Sequence, residues 1–111
     1  MPTHGIDRRL YPRIRADAEV GIHLLSGGTR WAQGVDVGLG GIRFQCIGEE
    51  LERGATLEVT FTIGGHSATV AGKVVRVDEA DPHVQEVALA FLELDPDTVE
   101  RFASLGLYSD L

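Results

Sequence analysis

Four arginines crowd the nine residues from Asp7 to Arg15, in a chain of 111 residues whose formal net charge is −7. They are Arg8, Arg9, Arg13 and Arg15. A guanidinium group is a planar donor that pairs bidentately with phosphate and stacks on flat rings. Pro12 disfavours a helix, so we predict an extended or turning strap without a regular element. Within this Arg strap (residues 7–15), Arg9 and Arg13 could converge on one anion. The alternative interpretation is a solvated basic tail.

A second stretch that could do chemistry is Asp36-Val37-Gly38-Leu39-Gly40-Gly41, between two predicted strands. Three glycines in six residues permit positive φ and close backbone approach. Backbone N–H groups beside the Asp36 carboxylate could face a ligand. The carboxylate suits a guanine edge, because it can accept from N1–H and N2–H while a nearby arginine meets O6, N7 or a phosphate. The alternative is a tight turn that only links the two strands.

The elements that must position these residues are predicted by apolar alternation with period two. It predicts six strands, within residues 18–25, 30–37, 42–46, 57–63, 66–77 and 87–91. Gly-Gly pairs at 27–28 and 64–65 indicate hairpins, and residues 78–82 are expected to form an acidic loop. Val75 and Val77 fall out of phase, which indicates either a bulge or burial of both faces near that end of the strand. Short strands with glycine-rich hairpins are typical of a small antiparallel barrel or sandwich, and closure would remove exposed edges.

A short helix is predicted to follow the last strand. Asp95 is the expected N-cap, and the proline after it suits the first helical position. Its narrow apolar stripe consists of Val99, Phe102 and Leu105. Gly106 can end the helix. Because so short a helix is marginal alone, it must dock on the barrel to persist.

Taken in order, the two motifs resemble those of the PilZ family. That family has an Arg-x-x-x-Arg strap, a six-stranded antiparallel barrel, an Asp/Asn-x-Ser-x-x-Gly motif between early strands, and a C-terminal helix. Here the strap motif is Arg9 to Arg13 and the turn motif is Asp36 to Gly41. The resemblance implies an all-β, PilZ-like split barrel of six antiparallel strands with a short C-terminal α-helix. It implies a single domain over residues 1–111, with a disordered start (1–6), the Arg strap (7–15), the barrel (17–94) and the helix (96–106).

The resemblance also implies a receptor for cyclic di-GMP, a bacterial second messenger with two guanines and two phosphates. The ligand-binding residues that it implies are Arg8, Arg9, Arg13, Asp36, Gly38 and Gly41. Arg9 and Arg13 would wrap the phosphates and guanine edges, and Arg8 would stack on a guanine face. Asp36 would hold a guanine edge, while Gly41 would keep the turn open. The signal would pass to an unidentified protein effector that regulates motility or surface polysaccharide.

One position departs from the family pattern, because Gly38 stands where the family has serine. A lost hydroxyl removes one hydrogen bond, worth about 1.5–3 kcal/mol if its partner is a charged phosphate. That corresponds to a roughly tenfold to hundredfold loss of affinity. The alternative function is therefore a divergent PilZ-type adaptor that no longer binds nucleotide. Arg76 could also line the ligand site from a neighbouring strand.

Composition excludes several other classes. Hydrophobic content of 43% and charged content of 24% are ordinary for a soluble globular protein. The negative net charge and the aromatic content of only 6% disfavour a nucleic-acid polymer as partner, since duplex binding needs positive charge and single strands need stacking platforms. The anionic partner is therefore expected to be small.

Cellular location is inferred from cysteine and apolar content. A single cysteine, Cys46, excludes an internal disulfide and indicates a reducing compartment. No apolar run approaches the roughly 18 residues of a membrane span. The first residues also lack the apolar core of a secretory signal. We therefore predict a cytoplasmic protein without membrane insertion.

Catalytic and metal-binding patterns are not evident. The histidines are His4, His23, His66 and His83, and their scatter lacks the spacing of metal ligands. Neither a Gly-x-Ser-x-Gly elbow nor another nucleophile–base pair is visible. We predict a binding module and not an enzyme, with no catalytic residues, metal or cofactor.

Overall fold

The structure is a computed structural model that describes residues 13–15, 19–24, 27–48, 51–63 and 65–104. This part of the chain forms seven strands and one helix. The strands are β1 (Arg13–Arg15), β2 (Glu19–His23), β3 (Thr29–Gly38), β4 (Gly41–Ile47), β5 (Thr56–Ile63), β6 (His66–Asp81) and β7 (Val84–Phe91). The helix α1 spans Pro96–Ser104.

Six of the strands close into an antiparallel barrel. Their order is β3-β2-β5-β6-β7-β4, and β4 returns to pair with β3. The extra strand, β1, pairs with β3 beyond the end of β2. The ten residues of β3 accommodate both neighbours, because β2 pairs with residues 29–33 and β1 with residues 36–38. The predicted six-stranded antiparallel barrel with a C-terminal helix is confirmed.

The core fills the inside of the barrel, because alternate side chains of each strand point inward. Its fully buried side chains include Ile22, Val37, Ile42, Phe44, Val59, Val74, Val87 and Leu89. Cys46 is 2% exposed and belongs to this core, as predicted from its phase with Ile42 and Phe44. The opposite faces of the same strands therefore carry the polar side chains that are available for function.

The N-terminus of α1 follows the predicted cap. The backbone N–H of Thr98 donates to Oδ1 of Asp95 at 2.8 Å, and Pro96 occupies the first helical position. This backbone hydrogen bond holds the pKa of the Asp95 carboxyl below its ordinary value. The predicted end at Gly106 lies outside the described residues. No described helix is long and apolar enough to cross a membrane, and α1 has only nine residues.

Helix α1 docks through one aromatic side chain. Phe102 is fully buried, with its ring centroid 6.3 Å from that of Phe61 and 6.4 Å from that of Phe91. The predicted stripe is only partly right, because Thr98 is buried beside Phe102 whereas Val99 is 39% exposed. The third member of the stripe lies outside the described residues. A single buried phenylalanine thus holds this short helix on the barrel.

Three register shifts interrupt the regular alternation of the described strands, at Val35 in β3 and at Val75 and Ala80 in β6. The register passes from Gly34↔Phe44 to Asp36↔Arg43, and from Val74↔Leu89 to Arg76↔Ala88. The bulge predicted near Val75 is confirmed. An extra residue reverses which face the following side chains occupy. The bulges therefore decide where the residues after them point.

Two local expectations are wrong. Residues 78–81 are not a loop but continue β6, because they pair with β7 up to the contact of Asp81 with Val84. The turn is at Pro82–His83, where the N–H of His83 donates to Oδ1 of Asp81 at 3.0 Å. The Arg strap was expected to lack regular structure, but residues 13–15 form β1. Residues 1–12 lie outside the described residues.

Candidate functional site

The register of β1 with β3 joins the two motifs. Arg13 lies opposite Gly38, and Arg15 lies opposite Asp36. Neighbouring strands are about 4.8 Å apart, so the end of the Arg strap runs directly beside the start of the turn motif. Of Arg13 only the backbone is described, and Arg8 and Arg9 lie outside the described residues.

Successive register pairs then form a row of side chains across five strands. Its members are Arg15, Asp36, Arg43, Ala88 and Arg76, and we call it the charged row. Directly paired residues share one face of a sheet. The adjacent pair Val37↔Ile42 is buried in the core, so the charged row lies on the outside of the barrel. At about 4.8 Å a strand, the row is roughly 19 Å long.

The bulges at Val35 and Val75 are needed to build the charged row. Gly34 and Val74 are buried and pair with core residues. With regular alternation, the residues two positions further on would also point inward. The extra residue in each strand instead places Asp36 and Arg76 on the outer face. Bulges commonly re-aim side chains at functional sites, which makes this face the candidate.

The central contact of the charged row is an ion pair between Arg43 and Asp36. Nε of Arg43 donates to Oδ1 at 3.2 Å and to Oδ2 at 3.0 Å, and Nη2 also donates to Oδ2. The Asp36 side chain is only 15% exposed, against 45% for Arg43. The hydrogen bond to Asp36, with a smaller opposing effect of burial, raises the pKa of the Arg43 guanidinium. A carboxylate so shielded from water needs such a partner.

Arg43 also approaches a second carboxylate. Its Nη1 lies 3.6 Å from Oε2 of Glu86, and Nε2 of Gln45 donates to the other oxygen of Glu86 at 3.4 Å. Arg43 thereby connects a carboxylate on β3 with one on β7. Sequence reasoning missed Arg43, although its place between the inward-facing Ile42 and Phe44 predicts that it points outward.

The far end of the charged row borders a shallow depression of about 100 Å³. It is lined by Arg43, Arg76, Asp78, Glu86 and Ala88. Nε of Arg76 donates to Oδ2 of Asp78 at 2.7 Å. Arg76 therefore lies at the end of the charged row with a carboxylate of its own strand as partner, and its contact with a ligand stays a prediction.

Charges on this face of the barrel balance. Among the described side chains of the charged row and the rows on either side of it, the cations are Arg15, Arg43, Arg76 and Lys73, and the carboxylates are Asp36, Asp78, Glu86 and Glu19. Equal numbers of opposite charges give little net attraction for an anion.

Small residues form the row next to the charged row. Gly38 pairs with Gly41, and Gly41 pairs with Ala90. A Cβ atom at Gly41 would overlap the carbonyl oxygen of Leu89, so only glycine allows β4 and β7 to approach this closely. The predicted close approach is confirmed at Gly41, whereas neither Gly40 nor Gly41 has a positive φ. The turn is further anchored by the N–H of Phe91, which donates to the carbonyl of Gly40 at 2.9 Å.

Metal ligands do not cluster in the described part of the chain. No group of three or more His, Cys, Asp or Glu side chains there could hold a metal ion.

Comparison with solved structures gives the same fold. The PilZ domain of YcgR from Escherichia coli, solved with c-di-GMP, matches with a TM-score of 0.71 at 16% identity, over 90% of this chain and 91% of that chain. YcgR in complex with c-di-GMP, also from Escherichia coli, matches with a TM-score of 0.69 at 21% identity, over 88% of this chain and 44% of that chain. The Bacillus subtilis inhibitor of motility MotI/DgrA gives 0.70 at 17% identity, over 88% and 49%. This chain spans less than half the length of the latter two.

Sequence comparison identifies the family. No protein with a curated description matches the chain significantly. The family model of the PilZ domain matches residues 7–105, which include the Arg strap, the barrel and α1. The chain therefore belongs to the PilZ domain family.

Proposed function

We propose that this domain is a receptor for cyclic di-GMP, bound between the Arg strap and the outer face of β3 and β4, and that it relays the signal to a protein effector. The observation that carries the proposal is the β1–β3 register, with Arg13 opposite Gly38 and Arg15 opposite Asp36. Two motifs that are 23 or more residues apart in sequence meet at one strand pair. Two relatives of the same fold, both YcgR structures, contain c-di-GMP.

The charge balance gives the Arg strap and the barrel wall different roles in this site. Because the charges of the described face cancel, the two phosphates of the ligand depend on Arg8, Arg9 and Arg13. Guanidinium groups suit that role, since each can pair with a phosphate through two parallel hydrogen bonds. The strap supplies attraction, and the barrel wall supplies a surface of fixed shape.

Asp36 gives the site its preference for guanine. Its carboxylate accepts from the adjacent N1–H and N2–H groups of the base, a donor pair that adenine lacks. A site built to pair with such donors rejects an analogue that lacks them, because the buried acceptor is then left without a partner. Gly38 and Gly41 keep the wall beside Asp36 free of protruding side chains, so a flat base can approach the backbone.

Isothermal titration calorimetry with cyclic di-GMP tests the proposal. We expect heat of binding for the wild-type protein and a roughly tenfold or greater loss of affinity for Arg9→Gln, which removes charge-assisted hydrogen bonds. Arg101→Gln on α1 is the matched control, because it removes the same charge away from the strap and should bind normally. Wild-type protein that gives no heat at high micromolar ligand would exclude the receptor function.

An adaptor that has lost nucleotide binding is the second candidate, and the observation that favours it is Gly38 at the family's serine position. The two functions differ in their response to Gly38→Ser. A working receptor should gain roughly tenfold to hundredfold in affinity from the restored hydroxyl. An adaptor whose strap no longer receives nucleotide should gain nothing, and would act by protein–protein contact alone.

The relay is proposed to begin at β1. Ligand held by the strap should protect the backbone amides of residues 13–15 and 36–38, because these residues form one strand pair. Hydrogen exchange with and without cyclic di-GMP measures this protection. Motility and surface polysaccharide are the processes that we propose for the effector, and no catalytic step by this domain is needed for either.

A further inference from the structure

We infer that Arg43 is a positioning residue that acts through Asp36, and this inference rests on the receptor function proposed above. Arg43 belongs to neither family motif. Its guanidinium grips both oxygens of Asp36, with Nε 3.2 Å from Oδ1 and 3.0 Å from Oδ2 and with Nη2 on Oδ2. The contact fixes the plane of the carboxylate, because the donors on one edge of a guanidinium are themselves coplanar.

The orientation of Asp36 matters because its proposed ligand group is also planar. N1–H and N2–H of guanine lie side by side in the plane of the base and point in the same direction. A carboxylate accepts both only when its own plane is aligned with the base. A side chain held in its binding orientation before the ligand arrives loses less rotamer freedom on binding.

Arg43 also neutralises Asp36. The Asp36 side chain is only 15% exposed, so its charge is weakly screened by water. Without Arg43 the carboxylate would repel the phosphates of the ligand more strongly. With Arg43 in place the pair carries no net charge, and the strap arginines can act on the phosphates unopposed.

Direct contact between Arg43 and the ligand is disfavoured by the partners of its three nitrogens. Nε and Nη2 bind Asp36, and Nη1 faces Glu86 at 3.6 Å. The amide of Gln45 on β4 donates to the same Glu86 on β7 at 3.4 Å, and this contact helps to hold the Glu86 carboxylate in place. Every nitrogen of the guanidinium therefore already faces a carboxylate. These contacts leave two of the five N–H groups of the guanidinium, so the selectivity test below must separate direct contact from positioning.

A double-mutant cycle tests whether Arg43 acts through Asp36. The affinity for cyclic di-GMP is measured by calorimetry for wild type, Arg43→Gln, Asp36→Asn and the double variant. Asn at this position keeps one acceptor oxygen, so residual binding stays measurable. We expect Arg43→Gln to lose about tenfold in the wild-type background and less than about threefold in the Asp36→Asn background. An equal loss in both backgrounds would overturn the inference.

The ratio of the affinities for cyclic di-GMP and cyclic di-AMP is a second readout, which would not change if Arg43 had a purely structural role. Cyclic di-AMP has the same phosphates but lacks the guanine donor pair. Arg43→Gln should reduce affinity for cyclic di-GMP far more than for cyclic di-AMP, which lowers the ratio of the two. Loss of a phosphate contact, or a general loosening of the barrel, would lower both affinities alike and would contradict the inference.

Conservative substitution separates orientation from neutralisation. Arg43→Lys keeps the positive charge but cannot grip both oxygens in one plane. We expect it to recover part of the affinity lost in Arg43→Gln while the selectivity ratio stays low, and full recovery of both would show that orientation plays no part. The Arg101→Gln control should match wild type in every assay. Wild type that binds neither dinucleotide would refute the receptor function itself, whereas binding with additive effects of Arg43 and Asp36 would refute only the role of Arg43.

Discussion

The polar side chains on the outer face of this barrel differ between its two opposite walls. One wall carries the charged row on β1, β3, β4, β7 and β6. The other carries a neutral network on β2, β3, β5 and β6, which we call the threonine face. Its members are His23, Thr29, Thr60 and Thr69. Nδ1 of His23 lies 3.2 Å from Oγ1 of Thr29, and Nε2 lies 2.7 Å from Oγ1 of Thr60, which is 2.8 Å from Oγ1 of Thr69.

The difference concerns what each wall can offer to a partner. Short hydroxyl side chains on the threonine face bind one another and project little field. The charged row and the rows on either side of it use long side chains whose opposite charges cancel, so adding the strap arginines would change the net charge of this wall. The threonine face is therefore expected to contribute to stability alone, and the charged row to stability and binding together.

The largest effect on stability is expected from a side chain added at Gly41, where β4 and β7 approach closely beside the charged row. Gly41→Ala would drive a Cβ atom into the carbonyl oxygen of Leu89, a backbone atom that cannot step aside. Forced separation of β4 from β7 should lower the free energy of unfolding by about 3 kcal/mol. Urea denaturation measures the change.

Gly40→Ala is the matched control for that substitution. Gly40 is exposed, has no positive φ, and has no atom within 4 Å of an added Cβ. Its replacement should change the unfolding free energy by no more than about 0.5 kcal/mol. Equal effects of the two substitutions would show that close strand approach does not constrain this wall.

The next prediction addresses the threonine face. Thr60→Val keeps the shape of the side chain but removes the hydroxyl that contacts both His23 and Thr69. We expect the unfolding free energy to fall by about 1 kcal/mol, independently of salt, with no change in affinity for cyclic di-GMP. Thr60→Ser, which retains the hydroxyl, should lose less. Weakened ligand binding by Thr60→Val would contradict the expectation that the threonine face contributes to stability alone.

A smaller and salt-dependent effect is expected from the charged row. Arg43 is 45% exposed at its side chain, so screening by water reduces what its ion pair contributes to folding. Arg43→Gln should lower the unfolding free energy by roughly 0.5–1 kcal/mol at low ionic strength and by less in high salt. Thermal unfolding at two salt concentrations measures the difference. A salt-independent loss would mean that Arg43 stabilises the barrel by packing and not by charge.

The features of the fold that the sequence predicts correctly are those that depend on residues close together in the chain. Period-two alternation identified the six barrel strands, and the Asp95-Pro96 pair identified the start of α1, because both patterns act within a few residues. The bulge near Val75 was also visible, as a break in phase. Residues 78–81 were mistaken for a loop because aspartate and glutamate are rare in strands, and only pairing with β7 overrides that preference.

The candidate site was harder to predict, because it depends on register. Asp36, Gly38 and Gly41 are predicted ligand contacts through the resemblance of residues 36–41 to the PilZ turn motif, and these contacts stay predictions. The structure places all three beside β1 or one strand away. Arg43 was missed, since an outward-facing arginine is unremarkable until its neighbour across the strand pair is known. The ligand contacts of Arg8, Arg9 and Arg13 stay predictions.

The smallest effect on stability is expected from the protonation of Asp95 in acid. Its contribution must be known before the pH dependence of stability can be assigned to either wall. Asp95 lies on neither wall, yet its carboxylate also stabilises the fold, through the hydrogen bond from the N–H of Thr98. That bond holds the pKa of Asp95 below its ordinary value of 3.8. A carboxyl with a lowered pKa in the folded state stabilises the protein above its unfolded pKa, and this stabilisation is lost as the pH falls through the folded value.

Asp95→Ala should therefore lower the melting temperature slightly at pH 7, and the difference from wild type should shrink below about pH 4. Asp95→Asn is the control, because asparagine caps helices without titrating, so its melting temperature should lose no cap contribution in acid. A difference between Asp95→Ala and wild type that persists undiminished in acid would mean that the cap does not act through the ionised carboxylate. Any acid destabilisation that Asp95→Asn still shows then belongs to the other carboxylates. Asp36 of the charged row and Glu86 beside it pair with Arg43, whereas the threonine face uses hydroxyl groups.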